Sequence, residues 1–599
     1  MKFTQLFVSL VIVAALLLAG CAPTAQPAAP QQTEAPVQKT EAPAQPTEPP
    51  AAPTEPPVQP TVPPPPTPLP TTDPNAVIPG GTVIVGSPQE PGTLSPLLAS
   101  ATIDDVISSF IIEGLITVDG KGQYAPVLAE ELPTASEDGL QVTYKLKKDI
   151  KFSNGDPFTC ADVQFTFDAI MSDLSQASTS GYSDIDSVEC TDDYTAVVNF
   201  ASLYAPYLRL FSSIIPRAAG DLAQMESWEY NRAPIGTGPW MVSEWEAGDH
   251  ITLVKNPNYR EEGKPYLDSV IIKILPSREV GIQLLGTGEI TALWDLTEAD
   301  FPTLEQMEGV SYAGALYGSG ENELLAFNLA DPKEDAPADP ATAPHPVLSD
   351  LKVRQAIQMG IDKQLLAETL LYGNVKVGTT VLPTGPFACP QDPSEYNPEK
   401  AMALLEEAGW KPGADGIREK DGVRMSLKIA STAGNQLREQ TQQVLVEMMK
   451  TIGIELVIDN VPSDVLFAGW DSNGMRKHGQ FDILLYTTGA GIDPDSHLFS
   501  NYHSARIPTK DNEGAGNNFS RWINPDVDQW IDDAAATTDM ATRQELYCKV
   551  ASAINQDLPR IFLYERLVLS GYRTNLQNFQ VSPGWADFTI DSQNWWLKP

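Results

Sequence analysis

A proline-rich segment near the N-terminus restricts the folding of this chain more than any other feature. Residues 22–79 contain 20 of the 52 prolines of the 599-residue chain. A seven-residue unit that begins Thr-Glu occurs four times in it, from Thr33 onwards. Proline in every unit forbids a continuous helix, and the segment has almost no large apolar residues with which to form a core. We therefore predict a disordered tether over residues 21–79, with an extended length of the order of 180 Å.

The residues before this segment have the features of an export signal. Lys2 supplies a positive charge, and Leu6–Leu18 is an apolar stretch shorter than the about 20 residues of a membrane span. The sequence LAGC that ends at Cys21 resembles the bacterial lipobox, in which the peptide is cut before a diacylated cysteine. The resemblance implies a signal peptide over residues 1–20 and a lipid anchor at Cys21, in the periplasm or on the outer face of the plasma membrane. An ordinary signal peptide with a chance cysteine is the alternative.

The charge of the chain argues against some classes of partner. The formal net charge is −39, from 78 acidic and 39 basic residues. Binding to nucleic acid or to anionic lipid requires clustered Lys and Arg side chains. We therefore predict no nucleic-acid partner, and membrane association only through the lipid anchor. A solvated acidic surface is a sufficient explanation of the charge.

Four further cysteines are Cys160, Cys190, Cys389 and Cys548. Exported proteins can hold disulfides, and four cysteines allow three sets of pairs. The first two lie 30 residues apart in one apparent subdomain, so we prefer a Cys160–Cys190 bond and leave the other pairings open. The spacing does not suit a zinc site, whose cysteines are usually two to four residues apart.

Strand and helix patterns alternate after residue 79, which predicts an α/β protein. Gly81–Gly86 has the composition of a buried strand, and Ile103–Leu115 has the periodicity of a helix. Two apolar runs around a turn at Gly248 predict a hairpin. Leu348–Leu371 has the pattern of one long helix.

Several motifs resemble one family, the extracellular solute-binding proteins of peptide- and nickel-type ABC importers. GTGPW, which begins at Gly236, and the NPNY that ends at Tyr259 match a family signature, with Trp240 in place of the usual Tyr. VRQAI at Val353 and NPEKAMALLEEAGW at Asn397 are similar to two of its helices. Asn397 is the expected N-cap of the second helix, with Pro398 at its first position. The resemblance extends over about residues 80–599.

The resemblance implies a two-lobed periplasmic-binding-protein-like α/β fold, type II and similar to the large cluster C. Lobe I is expected over residues 80–324, with an extra subdomain at about 120–220, and lobe II over 325–563. Residues 564–599 would return to lobe I through the second of two crossing strands. The family implies a monomer that encloses a peptide or similar small solute between its lobes and delivers it to a membrane permease.

The expected binding residues lie on Ser87–Pro96, on the strand entering Asn328, on the Thr487–Asp495 loop and on aromatic side chains. Some peptide binders of the family place an acid four residues before the proline that is Pro494 here. That position is Ala490, which weakens capture of a peptide amine and leaves Asp493 as a substitute charge. For the aromatic candidates, core packing is an equally good interpretation. The candidates are Glu90, Trp294, Tyr317, Asn328, Tyr486, Thr488, Asp493, Asn518, Trp522 and Trp585.

No motif of an enzyme or of a cofactor site was found, so we predict no catalytic residue, no cofactor and no metal. His497 and His503, near Asp493 and Asp495, have the appearance of hydrogen-bonded structural residues, and His345 that of a solvated side chain. Three alternatives stay open: an oligosaccharide-binding member of the same family, an exported glycosidase or peptidase, and a surface sensor or adhesin of the same fold that binds without an importer. Turnover of a peptide or glycan would favour the enzyme.

Overall fold

The computed structural model describes residues 77–316, 318–333, 340–583 and 587–599. Strands and helices alternate along most of these residues, as the sequence predicts. In chain order the strands are β1 (Thr82–Ser87), β2 (Ile116–Val118), β3 (Tyr124–Pro126), β4 (Thr134–Ala135), β5 (Gln141–Lys145), β6 (Ile185–Asp192), β7 (Thr195–Phe200), β8 (Trp240–Glu246), β9 (His250–Lys255), β10 (Ser269–Ile274), β11 (Ala292–Leu296), β12 (Val310–Ala315), β13 (Gly320–Phe327), β14 (Lys411–Pro412), β15 (Arg418–Lys420), β16 (Val423–Arg424), β17 (Ser426–Ala430), β18 (Glu455–Ile458), β19 (Ile483–Ala490), β20 (Arg560–Arg566), β21 (Val568–Arg573), β22 (Leu576–Gln577) and β23 (Trp596–Leu597).

The α-helices alternate with the strands along much of the chain. Short 3₁₀ turns occur in several of the connections. In chain order the α-helices are α1 (Thr102–Ser108), α2 (Cys160–Ile170), α3 (Arg278–Thr287), α4 (Phe301–Glu305), α5 (Leu351–Gly360), α6 (Lys363–Leu370), α7 (Pro398–Glu407), α8 (Gln436–Thr451), α9 (Ser463–Leu466), α10 (Met475–His478), α11 (Asp495–Tyr502), α12 (Pro525–Ala535) and α13 (Met540–Asp557).

Lobe I is built on a seven-stranded mixed sheet in the order β12-β21-β11-β1-β10-β9-β8. The central strand β1 pairs in parallel with both β10 and β11. Its residues alternate between two hydrophobic clusters: Val83 and Val85 lie in the larger cluster, and Ile84 packs against the smaller one. The apolar character of both faces explains why β1 reads as a continuous Val and Ile run.

The predicted hairpin is confirmed, because β8 and β9 pair antiparallel at the edge of this sheet. A four-stranded sheet in the order β4-β5-β7-β6 forms a further layer of lobe I, with α2 packed against β6. The structure contains a disulfide between Cys160 and Cys190, which joins the start of α2 to β6. A second disulfide joins Cys389 to Cys548.

Lobe II is built on a five-stranded mixed sheet in the order β18-β17-β19-β13-β20. Strand β13 lies between β19 and β20 and is buried along most of its length. Burial on both faces accounts for its unbroken apolar run, Leu324–Phe327. These residues belong to one large hydrophobic cluster that fills lobe II.

The chain passes between the two sheets twice within one compact unit, Asp73–Pro599. It leaves the seven-stranded sheet after β12 and enters the five-stranded sheet at β13, and it returns between β20 and β21. At the return, Arg566 binds Glu298 of lobe I through Nε at 2.8 Å and Glu323 of lobe II through Nη1 at 3.2 Å. Charged hydrogen bonds therefore link the two crossing segments.

The helix predicted over Ile103–Leu115 ends at Ser108, so the prediction was too long. Beyond the helix, the backbone at Gly114 lies close to the backbone of Ser212. A Cβ on Gly114 would stand 2.4 Å from the carbonyl carbon of Ser212. The chain therefore leaves the helix in a turn although its apolar periodicity continues.

The single helix predicted over Leu348–Leu371 is two helices, α5 and α6. The Asp362 side chain caps the second helix by accepting a hydrogen bond from the Leu365 amide at 2.9 Å, as expected of a new N-terminus. The predicted N-cap at Asn397 is confirmed, since its Oδ1 accepts from the Lys400 amide at 3.0 Å.

The prediction of a solvated His345 was wrong, because the side chain is 2% exposed. Its Nδ1 accepts hydrogen bonds from the amides of Val347 and Leu348, and its Nε2 lies 3.1 Å from Asp482. The ring thus ties the Pro-rich loop to lobe II. No helix in the described ranges combines the length and the hydropathy that a membrane span requires.

Candidate functional site

A cavity of about 800 Å³ opens into lobe I. Its wall combines α1, the turn that follows it, the connections at residues 176–182 and 204–215, and the C-terminal residues 589–593. Apolar groups such as Leu97 and Ile112 alternate with charged and hydroxyl groups on this wall. A concave surface of this size and mixed polarity suits a small solute.

A second, narrow cavity of about 90 Å³ adjoins the first and reaches the boundary between the lobes. Thr117, Arg209 and Ser212 line both cavities. Gly491 and Ile492 of lobe II contribute the opposite side of the narrow one. The larger cavity therefore lies next to the place where the lobes meet.

The glycine-rich turn before β8 shapes one wall of the larger cavity. Gly236 and Gly238 lie against the Ile111 carbonyl, and the Gly238 amide donates a hydrogen bond to that oxygen at 2.9 Å. A Cβ on Gly236 would stand 1.9 Å from the same oxygen. Only glycine permits this approach, so the turn holds Thr237 against Glu113 and places Pro239 on the cavity wall.

A paired set of charges lies on the same wall. Arg260 donates two hydrogen bonds to the Glu113 carboxylate, at 2.6 and 2.9 Å, and Thr237 donates a third at 2.9 Å. Burial opposes the charge of Arg260, but Glu113 outweighs it and the pKa of the guanidinium is raised. Lys147 donates to the Val127 carbonyl at 2.6 Å, and burial lowers its pKa.

Two further charged groups on the wall have no such partner. The Asp105 carboxylate and the Arg209 guanidinium make no hydrogen bond or ion pair within the part of the chain that the structure describes. Burial, with a smaller contribution from Asp104, raises the pKa of Asp105 to about 6. The Asp105 carboxylate and the Arg209 guanidinium can therefore bind a solute that enters the cavity.

A buried ion pair of lobe II lies at the lobe boundary, beside the narrow cavity. Arg543 donates to both carboxylate oxygens of Asp493, at 2.7 and 2.8 Å, and each side chain is 1% exposed. Arg543 also donates to the Ala205 carbonyl of lobe I at 3.2 Å, and Tyr547 donates to Asp495 at 3.1 Å. Burial, followed by the charge of Asp493, raises the pKa of Asp495.

Several predicted binding residues do not line the two cavities and instead bind other groups of the protein. Both carboxylate oxygens of Asp493 accept hydrogen bonds from Arg543, so Asp493 is not the free carboxylate that was expected to bind a peptide amine. Asn328 donates from a buried amide to the carbonyls of Gly479 and Phe481, and Asn518 donates to the Trp522 carbonyl. These amides hold loop backbone together, and neither lines the two cavities.

Glu90 also lies elsewhere, since its exposed carboxylate accepts from the Trp245 ring and the Gly248 amide at the hairpin turn. Trp522 is buried and donates to Asp557 at 3.1 Å. Trp294 and Tyr486 are each 5% exposed and pack in the two cores, and Thr488 pairs with Asn322 between strands. Tyr317, Trp585 and Cys21, like the signal peptide and residues 21–76 of the tether, lie outside the described residues.

Within the described part of the chain, Asp493, Asp495, His497 and His503 do not form a cluster with metal-ligand spacing. Burial, with the charge of Arg560, lowers the pKa of His497 to about 3, and the Asn501 amide donates to its carbonyl. Among the described residues, the group with metal-ligand spacing is Glu246, Asp249 and His250 on the hairpin, where both carboxylates are exposed.

Two of the loops expected to bind the ligand contribute to the cavity walls, whereas none of the expected side chains within the described residues does. Pro96 and Ile492 of the predicted loops line the cavities, whereas Asp105, Glu113 and Arg260 were missed. A lone acid inside the apolar run FIIEGLI was the available signal for Glu113. No local signal marks Arg209, because its role depends on segments that lie far apart in sequence.

The fold and the cavity beside the lobe boundary define a two-lobed solute-binding protein. The family model described as "Bacterial extracellular solute-binding proteins, family 5 Middle" matches residues 123–508. The chain therefore belongs to the family-5 solute-binding proteins of ABC importers. The predicted family and the predicted fold are both confirmed.

Several known proteins are similar over most of the chain. The oligopeptide-binding protein AppA of Bacillus subtilis is 28% identical over 538 residues, 86% of this chain and 92% of that protein. The nickel-binding periplasmic protein of Escherichia coli is 27% identical over 459 residues, 75% and 82% of the two chains. The structure of Bacillus subtilis AppA in complex with a nonapeptide matches with a TM-score of 0.59 and 27% identity, covering 87% of this chain and all of that one.

Proposed function

We propose that this protein captures an oligopeptide or similar small solute between its two lobes and delivers it to the permease of an ABC importer. The observation that carries the proposal is the cavity of about 800 Å³ beside the lobe boundary, with two unpartnered charges of opposite sign on its wall. The relatives named for oligopeptide binding support a peptide ligand. The role is binding and transfer, without turnover.

Ligand capture would use the two connections between the sheets as a hinge. Closure of two lobes around a solute needs only small backbone changes at such connections, as in periplasmic binding proteins generally. The contact of Arg543 with the Ala205 carbonyl shows a lobe–lobe contact that a closed form can use. The permease would then bind the closed form of the protein, which acts as a monomer.

A screen by thermal unfolding tests the ligand class. Random di- to pentapeptides and a set of oligosaccharides are added separately to the purified protein. A ligand at 100 times its Kd stabilises the folded state by about 2.7 kcal/mol, which is measurable as a rise in Tm. We expect peptides to raise Tm. If only the oligosaccharides raise Tm, the solute is a sugar and not a peptide.

We further propose that residues 1–20 are removed, that Cys21 carries the acyl chains, and that residues 21–79 hold the lobes away from the membrane. Two or more acyl chains give durable anchoring, since each buried CH₂ contributes about 0.8 kcal/mol. Cells fed a radiolabelled fatty acid should label the wild-type protein. The Cys21→Ser variant should be unlabelled and partition into the aqueous phase of a detergent separation. Equal labelling of both would contradict the anchor.

A further inference from the structure

Two charged side chains on the wall of the larger cavity differ from the other charges there. Glu113 and Arg260 bind each other, and Lys147 binds a backbone carbonyl. Asp105 and Arg209 have no partner among the described residues. They carry opposite charges and line the same cavity, so a single solute can meet both.

Keeping an unpaired charge partly buried is unfavourable. Removal of a carboxylate from water without a compensating hydrogen bond costs free energy, and the raised pKa of Asp105, caused first by burial and then by Asp104, reflects that cost. Polar groups in such a position are satisfied once a ligand supplies the missing donor. An ammonium group is the donor that suits a carboxylate.

Arg209 lies on the side of the cavity that faces lobe II. It lines the narrow cavity together with Gly491 and Ile492. Its positive charge acts across the boundary, because it opposes the rise in the pKa of Asp495 of lobe II. A guanidinium in this place can bind a carboxylate through two parallel hydrogen bonds.

The acids of lobe II near the boundary already have partners. Asp493 accepts two hydrogen bonds from Arg543, and Asp495 accepts one from Tyr547. A ligand amine that approached Asp493 would have to displace a bidentate ion pair that is 1% exposed. Asp105 offers its carboxylate without that displacement.

From this arrangement we infer that Asp105 of lobe I receives the ammonium group of the ligand and that Arg209 receives its carboxylate. The solute is therefore a short zwitterion, a peptide with both termini free. The inference rests on the proposed function, and it names the residues that set the orientation and the chemistry of the ligand.

Peptide capture by the purified full-length protein tests the inference. Three pools of random di- to pentapeptides have free termini, an acetylated amino terminus or an amidated carboxyl terminus. Peptides retained after rapid gel filtration are counted by mass spectrometry. For the wild-type protein we expect retention of the free pool and a loss of at least about tenfold with either block, as for a missing charged hydrogen bond.

Two variants connect each loss to its residue. Asp105→Asn should retain the free pool at least about tenfold less than wild type and should no longer distinguish it from the acetylated pool. Arg209→Gln should become insensitive to amidation in the same way. Asp186→Asn is the matched control, because Asp186 is an exposed acid on β6 away from the cavities. It should behave like wild type.

The outcomes separate this inference from the proposed function. If wild type retains free and acetylated peptides equally, or if Asp105→Asn matches Asp186→Asn, the inference is overturned while peptide capture stands. An equal loss of all pools in Asp105→Asn also overturns it, because that pattern indicates a structural role. If wild type retains no pool, the peptide function fails and the inference fails with it.

Discussion

The carboxyl group of Asp105 should affect stability as well as binding. Its pKa in the folded protein is about 6, above the ordinary value of 3.8, because of burial and then of Asp104. The charged form is therefore unfavourable in the folded state, and the cost is present above pH 6 and disappears as the pH falls below the unfolded value near 3.8.

Asp105→Asn removes this cost. In the absence of peptide we expect the variant to be more stable than wild type at pH 7.5 by about 1 kcal/mol, after allowance for solvent screening. The difference should shrink to near zero at pH 3.5. Denaturant unfolding at the two pH values measures it. A variant that is less stable than wild type at pH 7.5 would contradict the assignment of an unpaired carboxylate.

The Asp493–Arg543 pair has the opposite character, since both groups are buried and satisfied. Asp493→Asn removes the carboxylate that binds the guanidinium through two hydrogen bonds and leaves only Asp495, at 4.0 Å. We expect a loss of about 3–5 kcal/mol in the free energy of unfolding. Glu407→Gln breaks the exposed pair with Lys352 and should cost less than about 1 kcal/mol. Denaturant unfolding measures both losses. If the two variants lose the same free energy of unfolding, the Asp493–Arg543 pair stabilises the fold no more than an exposed pair does, and the prediction is contradicted.

At the residue scale, the sequence indicated where notable side chains lie but not which groups they bind. Asp493 was predicted to bind a ligand because it follows a core strand, yet its partner lies 50 residues away on α13. His345 was predicted to be solvated because its neighbours are polar, yet Asp482 of lobe II lies against its ring. Both outcomes depend on contacts between distant segments, which local composition does not contain.

At the scale of elements, the turn before β8 is where sequence and structure agree most closely. Gly236 lies so near the Ile111 carbonyl that Gly236→Ala must move backbone, and we expect a loss of stability of about 1–3 kcal/mol. Peptide capture should weaken as well, because Thr237 of the displaced turn donates a hydrogen bond to Glu113 on the cavity wall. Gly92→Ala is the control, since nothing lies within 4 Å of its added Cβ.

The measurement is denaturant unfolding of both variants beside the peptide-retention assay. Equal stability of Gly236→Ala and Gly92→Ala would contradict the close approach of the turn to Ile111.

Local periodicity predicted the existence of elements better than their ends. The β8–β9 hairpin and the Asn397 cap follow from short-range chemistry and were predicted correctly. The helix after Ile103 was predicted too long, because the backbone approach at Gly114 comes from the distant Ser212. Two helices were merged over Leu348–Leu371, because the Asp362 cap interrupts an apolar pattern that continues across the break.

At the scale of the whole molecule, the two-lobed fold was predictable because motifs of one family occur in order along the chain. The cavity was not, because its wall is assembled from α1, residues 204–215 and the C-terminal 589–593. These segments lie about 100 residues or more apart in sequence. The unpartnered state of Asp105 and Arg209 is a property of that assembly.

Native mass spectrometry of the exported protein with the free peptide pool tests the central claim most directly. The claim is that the chain binds a peptide reversibly and does not transform it. We predict a complex of one protein with one peptide, from which denaturation releases peptides of unchanged mass. The absence of any peptide-bound species, or the recovery of fragments shorter than the peptides supplied, would contradict the claim.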